Sequence, residues 1–334
     1  MAELRRDPFL DRWTLIAAER SGRPRDHRHA PATPAKPNDQ CPFCPGREED
    51  TPPEIDAIRE DESVSSWRIR VIPNLYPAIG ADPLSESLSG GLFDSMSGGG
   101  RHEVIVDSPD HLLGLADLPD AHAGEVLRML QRRVRELYTV PSIRSVAPFK
   151  NHGALAGASL EHSHLQVVGL PAIPPYIALE REAAEHFHRD TGKTLLDEMV
   201  EWETKQNRRT IETGERGAVV YCPFASRFPF QVAISPWPTQ ERFAESPPGA
   251  IAAVGGALAR SLRRIKNLLG DPPLNVFFHV ETRPEPGENT PAHRWRIEIF
   301  PRLADIAGLE IGSGMHINEM APERAAETLR EISF

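Results

Sequence analysis

One order of elements occurs twice along this chain, and that repetition limits the possible folds more than any single residue does. The first occurrence runs from the alternating stretch Trp67-Arg68-Ile69-Arg70-Val71-Ile72 to His102-Glu103-Val104-Ile105-Val106-Asp107, ahead of Ser108-Pro109. A helix opened by Pro119 follows, then Ser145 to Lys150, a loop, and a last strand through Val167-Val168-Gly169-Leu170. The second occurrence begins with Ala218-Val219-Val220-Tyr221 and Phe230-Gln231-Val232-Ala233-Ile234, ahead of Ser235-Pro236. It continues with a helix from Ile251 to Leu269, then Leu274 to His279, a loop, and Trp295 to Pro301. Alternation of apolar and polar residues marks the strands, and Val126, Leu127, Leu130, Val134 and Leu137 recur at helical spacing. The reading is a degenerate internal duplication of α+β class, with antiparallel sheets and packed helices in halves 1–172 and 173–334. With 334 residues the chain can bury such a core.

The chemistry is expected in the first half. Glu161-His162-Ser163-His164-Leu165-Gln166 leads into its last strand. In an extended backbone His162, His164 and Gln166 share one face, while Ser163, Leu165 and Val167 share the other. The preceding loop, Asn151-His152-Gly153-Ala154-Leu155-Ala156-Gly157-Ala158-Ser159, is built of small residues that let a backbone approach a ligand closely. A loop of this kind before two imidazoles suits a phosphate group held for attack. In the second copy Arg296 and Glu298 stand where the first has its histidines. Between the copies, Ile177 to Asn207 reads as a charged helical region, and Gly90 to Gly100 as a Gly/Ser-rich surface loop.

The chain has three cysteines, and two of them form Cys41-Pro42-Phe43-Cys44. A knuckle tightened by prolines brings two thiolates to one tetrahedral ion but supplies only half its ligands. The other two must then come from among the thirteen histidines. Pro42 and Pro45 oppose the helix that a redox-active pair needs. Cys222 reads as a buried small hydrophobe. With 38 basic and 48 acidic residues the chain is a poor general binder of nucleic acid. No apolar run is long enough for a membrane span, and the charged N-terminus lacks a signal peptide's apolar core, so a cytoplasmic location is expected. Arg20, Arg23 and Arg25 lie in a Gly/Pro-punctuated loop, as solvated turn residues do and as phosphate-binding guanidinium forks also do.

Four motifs in order, Cys41-x2-Cys44, Ser108-Pro109-Asp110-His111, Asn151-x-Gly153-x3-Gly157-x-Ser159 and His162-x-His164-x-Gln166, resemble those of the galactose-1-phosphate uridylyltransferase family. This is a branch of the histidine-triad superfamily, and the resemblance runs from Arg20 to about Arg330. It implies duplicated histidine-triad-like halves, a homodimer, and a structural zinc on Cys41, Cys44, His111 and His162. It names His164 as a nucleophile that takes a nucleotidyl group from a nucleotide sugar and passes it to a second phosphate acceptor. The simplest such reaction is uridylyl exchange between UDP-glucose and galactose 1-phosphate, with a hexose 1-phosphate as partner substrate. Gln166 occupies the place of a third histidine found in the superfamily's hydrolases. An amide can donate to a phosphoryl oxygen but is a poor proton shuttle, which favours transfer over hydrolysis. The resemblance places Ser159 and Gly157, with Asn151 in their loop, at the phosphates. It places Asn74, Arg20 and Arg23 near the nucleotide, although an asparagine between two prolines is also an ordinary turn residue.

The chain departs from the pattern in three places. Ser163 replaces the usual proline between the histidines. The family's second, iron-binding site is expected to be absent: His279 and Glu180 or Glu182 could match, but Trp295-Arg296-Ile297-Glu298 lacks its His-x-His. Glu310-Ile311-Gly312-Ser313-Gly314-Met315-His316-Ile317-Asn318 lacks the lysine and Tyr-Glu pair of galactose-handling members, and more closely resembles an ADP-glucose phosphorylase-like branch. Adenylyl transfer from ADP-glucose to phosphate is therefore the alternative reaction. A zinc-stabilised nucleotide-binding regulator without catalysis is the alternative of another class.

Overall fold

The structure, a computed structural model, describes residues 3–10, 12–18, 40–80, 88–90, 92–95, 99–240, 242–283 and 293–333. The strands are β1 (Glu3–Arg6), β2 (Trp13–Ile16), β3 (Asp56–Arg59), β4 (Trp67–Pro73), β5 (Leu88–Gly90), β6 (Phe93–Ser95), β7 (Arg101–Val106), β8 (Ser145–His152), β9 (His164–Leu170), β10 (Thr210–Thr213), β11 (Ala218–Tyr221), β12 (Val232–Pro236), β13 (Leu274–His279), β14 (Arg296–Pro301) and β15 (His316–Asn318). The helices are α1 (Asp120–Leu137), α2 (Pro175–Thr191), α3 (Leu195–Gln206), α4 (Pro248–Leu269), α5 (Gly308–Ser313) and α6 (Pro322–Glu331).

Ten strands form one sheet in the order β10-β11-β12-β14-β13-β8-β9-β7-β4-β3. β8 and β13 meet in the middle, with Asn151 opposite Asn275 and Phe149 opposite Phe277. Outward from that seam the strands run β8, β9, β7, β4, β3 on one side and β13, β14, β12, β11, β10 on the other. The same succession thus appears twice with antiparallel pairing throughout, and the repeated order in the sequence is a repeated half in space.

α1 and α4 lie together on one face. Leu130 and Val134 of α1 and Val254, Leu258 and Ile265 of α4 pack with Ile105, Leu165, Val276 and Ile297 from the sheet. Their crossing is close enough to require glycine: a Cβ on Gly255 would sit 2.6 Å from the Gly124 Cα. Register then settles which side chains occupy the other face. His164 is opposite Val106, Gln166 opposite Phe149, and His279 opposite Arg296. Hence His164, Gln166, His102, Asn151, Asn275, His279, Arg296 and Glu298 all belong to the face turned away from α1 and α4.

That second face is covered in patches. Cys41 and Phe43 of the knuckle pack on Trp67, Ile72, Val104 and Val106, and Leu196 and Val200 of α3 pack on Val219, Tyr221 and Ala233. β15 runs parallel to β2 and completes a small sheet with β1. Two expectations change in detail. The charged region after Ile177 is two helices, because Gly192 turns into the left-handed conformation at φ +70° and ends α2. In the Gly/Ser-rich stretch Gly90 ends β5, and β6 pairs with β5 antiparallel. Cys222 is fully buried, and burial pushes its thiol up. Among the described residues no helix is long and apolar enough to cross a membrane.

Candidate active site and metal centre

The knuckle at Cys41, the turn after β7 and the approach to β9 converge on one point. Cys41 Sγ lies 3.6 Å from His162 Nδ1, and Cys44 Sγ lies 3.5 Å from His111 Nδ1 and 3.6 Å from His162 Nδ1. The four donor atoms all fall within 4.8 Å of one another. A tetrahedral ion with bonds of about 2.3 Å to sulfur and about 2.0 Å to nitrogen separates sulfur from nitrogen by about 3.5 Å. The donor set therefore fits such an ion in both spacing and chemistry. His162 Nε2–H donates to the Ser108 carbonyl at 2.8 Å, which turns Nδ1 toward the sulfurs. Burial, with Cys41 beside it, pushes the Cys44 thiol up to about 11, so two thiolates this close call for a cation. Of the histidines left open by the cysteine spacing alone, His111 and His162 are those brought to the knuckle.

His164 opens β9 and is 6 % exposed. Its Nδ1–H donates to the His162 carbonyl at 2.8 Å, so the lone pair is on Nε2. Burial, reinforced by Lys150, holds its pKa below the ordinary value and favours the neutral ring. Phe43 meets the imidazole edge-on, with ring centroids 5.4 Å apart. Ser163 points to the opposite side, as strand alternation requires. There the buried Lys150 ammonium donates to Ser163 Oγ at 2.7 Å, to Asp107 Oδ2 at 2.9 Å and to the His164 carbonyl at 3.1 Å. The pairing of β8 with β9 stops at Phe149 and Gln166, so Lys150 supplies a donor where the ladder no longer does. Sequence reasoning missed this lysine. It read residue 150 only as a strand end, and the partners lie 13, 14 and 43 positions away.

Gln166 sits one turn of the pleat beyond His164, and its Oε1 is 3.0 Å from His102 Nε2. Asn74 is in the same cluster: its Nδ2 is 3.1 Å from that nitrogen, while its Oδ1 accepts the Tyr76 N–H at 2.9 Å. The turn-forming role of Asn74 is thus present, and its side chain also lies beside His102. In the small-residue loop Asn151 Nδ2 reaches the Gly157 carbonyl at 3.4 Å, and Gly157 adopts φ +85°, where a side chain would be strained. Ser159 is exposed at the end of this loop. Asn275, which the sequence did not single out, donates to Asn151 Oδ1 at 2.9 Å and to the Ala156 carbonyl at 2.8 Å, bracing the loop from the other half. Arg20 and Arg23 lie outside the described residues.

At the equivalent end of β14 the second half holds a different group. Arg296 donates to Glu180 Oε1 and to Glu298 Oε1, each at 2.9 Å. His279 Nδ1 is 3.0 Å from Glu180 Oε2. Glu180, rather than the exposed Glu182, is the glutamate of this cluster. The guanidinium lies between the two buried carboxylates and offsets part of their charge from within the chain.

Comparison with known proteins places these features in context. A family model for the galactose-1-phosphate uridyl transferase N-terminal domain matches residues 1–174. The ADP-glucose phosphorylase of Arabidopsis thaliana is 33% identical over 335 residues, spanning 99% of this chain and 93% of that protein. The galactose-1-phosphate uridylyltransferase of Thermotoga maritima is 27% identical over 341 residues, spanning 99% of this chain and 98% of that protein. Among solved structures, an Arabidopsis thaliana ADP-glucose phosphorylase with bound ADP-glucose superposes with a TM-score of 0.85 at 31% identity, covering 100% of this chain and 99% of that one.

Proposed function

This chain belongs to the galactose-1-phosphate uridylyltransferase family, and on that footing we propose that it moves a nucleotidyl group through a covalent adduct on His164. The observation that carries this is the Nδ1–H to carbonyl bond of a buried, neutral His164, which leaves Nε2 as the nucleophilic nitrogen. Nε2 attacks the α-phosphorus of a nucleotide sugar. The bond from that phosphorus to the bridging oxygen breaks, and sugar 1-phosphate leaves with the electron pair. An oxygen of the acceptor phosphate then attacks, the P–N bond breaks, and the neutral imidazole returns. Nδ1 keeps its proton throughout, shared with the His162 carbonyl. Since the leaving group is already a phosphate anion, no general acid is needed, and an amide at position 166 suffices. The backbone of the Gly157 loop and Ser159 hold phosphate oxygens.

Cys41, Cys44, His111 and His162 are the residues that would hold zinc. Four protein donors make a closed site, so what the ion supplies is rigidity at residue 162, whose carbonyl positions the nucleophile.

For the substrate, ADP-glucose with inorganic phosphate as acceptor is the reading that the likeness along both whole chains favours, together with the C-terminal segment Glu310–Asn318. The products are then glucose 1-phosphate and ADP. Uridylyl exchange between UDP-glucose and galactose 1-phosphate is the second reading, favoured by the family model and by the uridylyltransferases that match along the whole chain. A panel of ADP-glucose and UDP-glucose against phosphate and galactose 1-phosphate separates them. The first reading requires ADP to be the main nucleotide product; preferential formation of UDP-galactose would replace it with the second. No nucleotidyl transfer by the folded, metal-loaded protein on any pair would leave the regulator. The expected homodimer is part of this proposal, and sedimentation equilibrium tests it.

A further inference from the structure

We propose that His102 is the residue that fixes which end of the Gln166 amide faces the reacting phosphate. The inference rests on the transferase reading above and concerns the same site. Its starting point is a proton count. The Ala78 backbone N–H donates to His102 Nδ1 at 3.1 Å. A backbone amide is always a donor, so Nδ1 is unprotonated and a neutral ring carries its single proton on Nε2. His102 is 9 % exposed and burial holds its pKa below the ordinary value, in keeping with the neutral ring. Nε2–H is then a donor, and the atom 3.0 Å away must be the Gln166 carbonyl oxygen rather than its nitrogen.

The consequence is polar sense. With Oε1 held by His102, the Gln166 NH2 group is left as the end not engaged by the ring. Asn74 shows the same sense by another route. Its Oδ1 is taken by the Tyr76 N–H at 2.9 Å, so its NH2 group is the end that lies beside His102. The Gln166 NH2 group is therefore the end left for a phosphoryl anion. A flipped Gln166 would instead present a carbonyl oxygen to that anion. His102 touches neither substrate nor the reacting atoms in this scheme; it is a positioning residue that acts only through Gln166.

A double-mutant cycle on the rate of adduct formation, measured in single turnover with ADP-glucose labelled in its α-phosphate, tests this. His102→Ala and the shape-preserving His102→Phe should each slow adduct formation by about tenfold, the scale of one lost buried hydrogen bond. In a Gln166→Ala background the same two substitutions should change the rate by less than about twofold, because the group they orient is gone. Full masking supports the proposal. An undiminished tenfold loss in the Gln166→Ala background overturns it, and so does an unchanged rate in both single variants. Failure of the wild-type protein to label with either ADP-glucose or UDP-glucose would instead sink the transferase reading, which keeps the two failures distinct.

Discussion

His164 acts through a single donor bond to the backbone carbonyl two residues behind it, and the residue at that carbonyl is a member of the cysteine cluster. Replacing His164 with glycine should therefore abolish transfer while zinc content stays at the wild-type value; loss of metal together with activity would show that the ring is structural. Two other histidines should contribute to acid sensitivity. Burial pulls His293 down to about 4 against the opposing effect of Glu180, and burial with Arg227 and Arg12 pulls His316 down to about 4. Unfolded, both titrate at about 6.5, so the unfolded chain binds more protons between those values. The stability tied to these groups is thus complete above pH 6.5 and is lost as pH falls toward 4. The urea midpoint should drop over that window, and the drop should shrink in a His293→Gln, His316→Gln double variant. An equally steep fall in the variant would assign the effect to other groups. At this scale strand alternation made His162, His164 and Gln166 legible in the sequence. Lys150, His102 and Asn275 were not, because each acts on a partner from another strand and nothing in its own neighbourhood marks it.

Among the elements, the knuckle and the α1–α4 crossing make separable demands. The knuckle is seated on β4 and β7 by Phe43, with Trp67 and Val104 beneath it, and its sulfurs face His111 and His162. Cys44→Ser should lose bound zinc, read by elemental analysis, and lower the melting temperature. Retention of one zinc per chain would remove Cys44 from the ligand set. The helix crossing lies on the opposite face, so a change there should affect stability alone. Gly255→Ala places a Cβ against the Gly124 backbone, and overpacking of this kind costs about 1–3 kcal/mol. A lowered urea midpoint with an unaltered rate of adduct formation in the folded protein is the expected pair of results. Periodicity foretold α1 and α4 themselves, because their apolar residues recur at helical spacing. It could not foretell the close crossing, which depends on two glycines 131 positions apart meeting in space. The division of the charged region into α2 and α3 turns on Gly192, a residue type that helices contain as well as end with.

For the molecule as a whole, the repeated order of elements was legible because each copy keeps its strand and helix periodicities even where its chemistry has changed. What the order could not supply is the seam. β8 pairs with β13, and through that pairing the second half braces the loop that carries Ser159. Asn275→Ala, which removes both donor bonds to the loop, should accordingly reduce turnover by about threefold to tenfold without affecting zinc. Unchanged turnover would confine the chemistry to the first half alone. The second half otherwise contributes a cluster in which Arg296 bridges the buried carboxylates of Glu180 and Glu298. The central claim is that one histidine holds the nucleotidyl group between two phosphate acceptors. The measurement that bears on it most directly is to mix the protein with ADP-glucose or UDP-glucose labelled in the α-phosphate, omit any acceptor, and digest and sequence the labelled peptide. The account predicts acid-labile, base-stable label on His164, discharged to nucleoside diphosphate when phosphate is added or to a new nucleotide sugar when a hexose 1-phosphate is. Steady turnover with no label on the protein, or label on another residue, would contradict it.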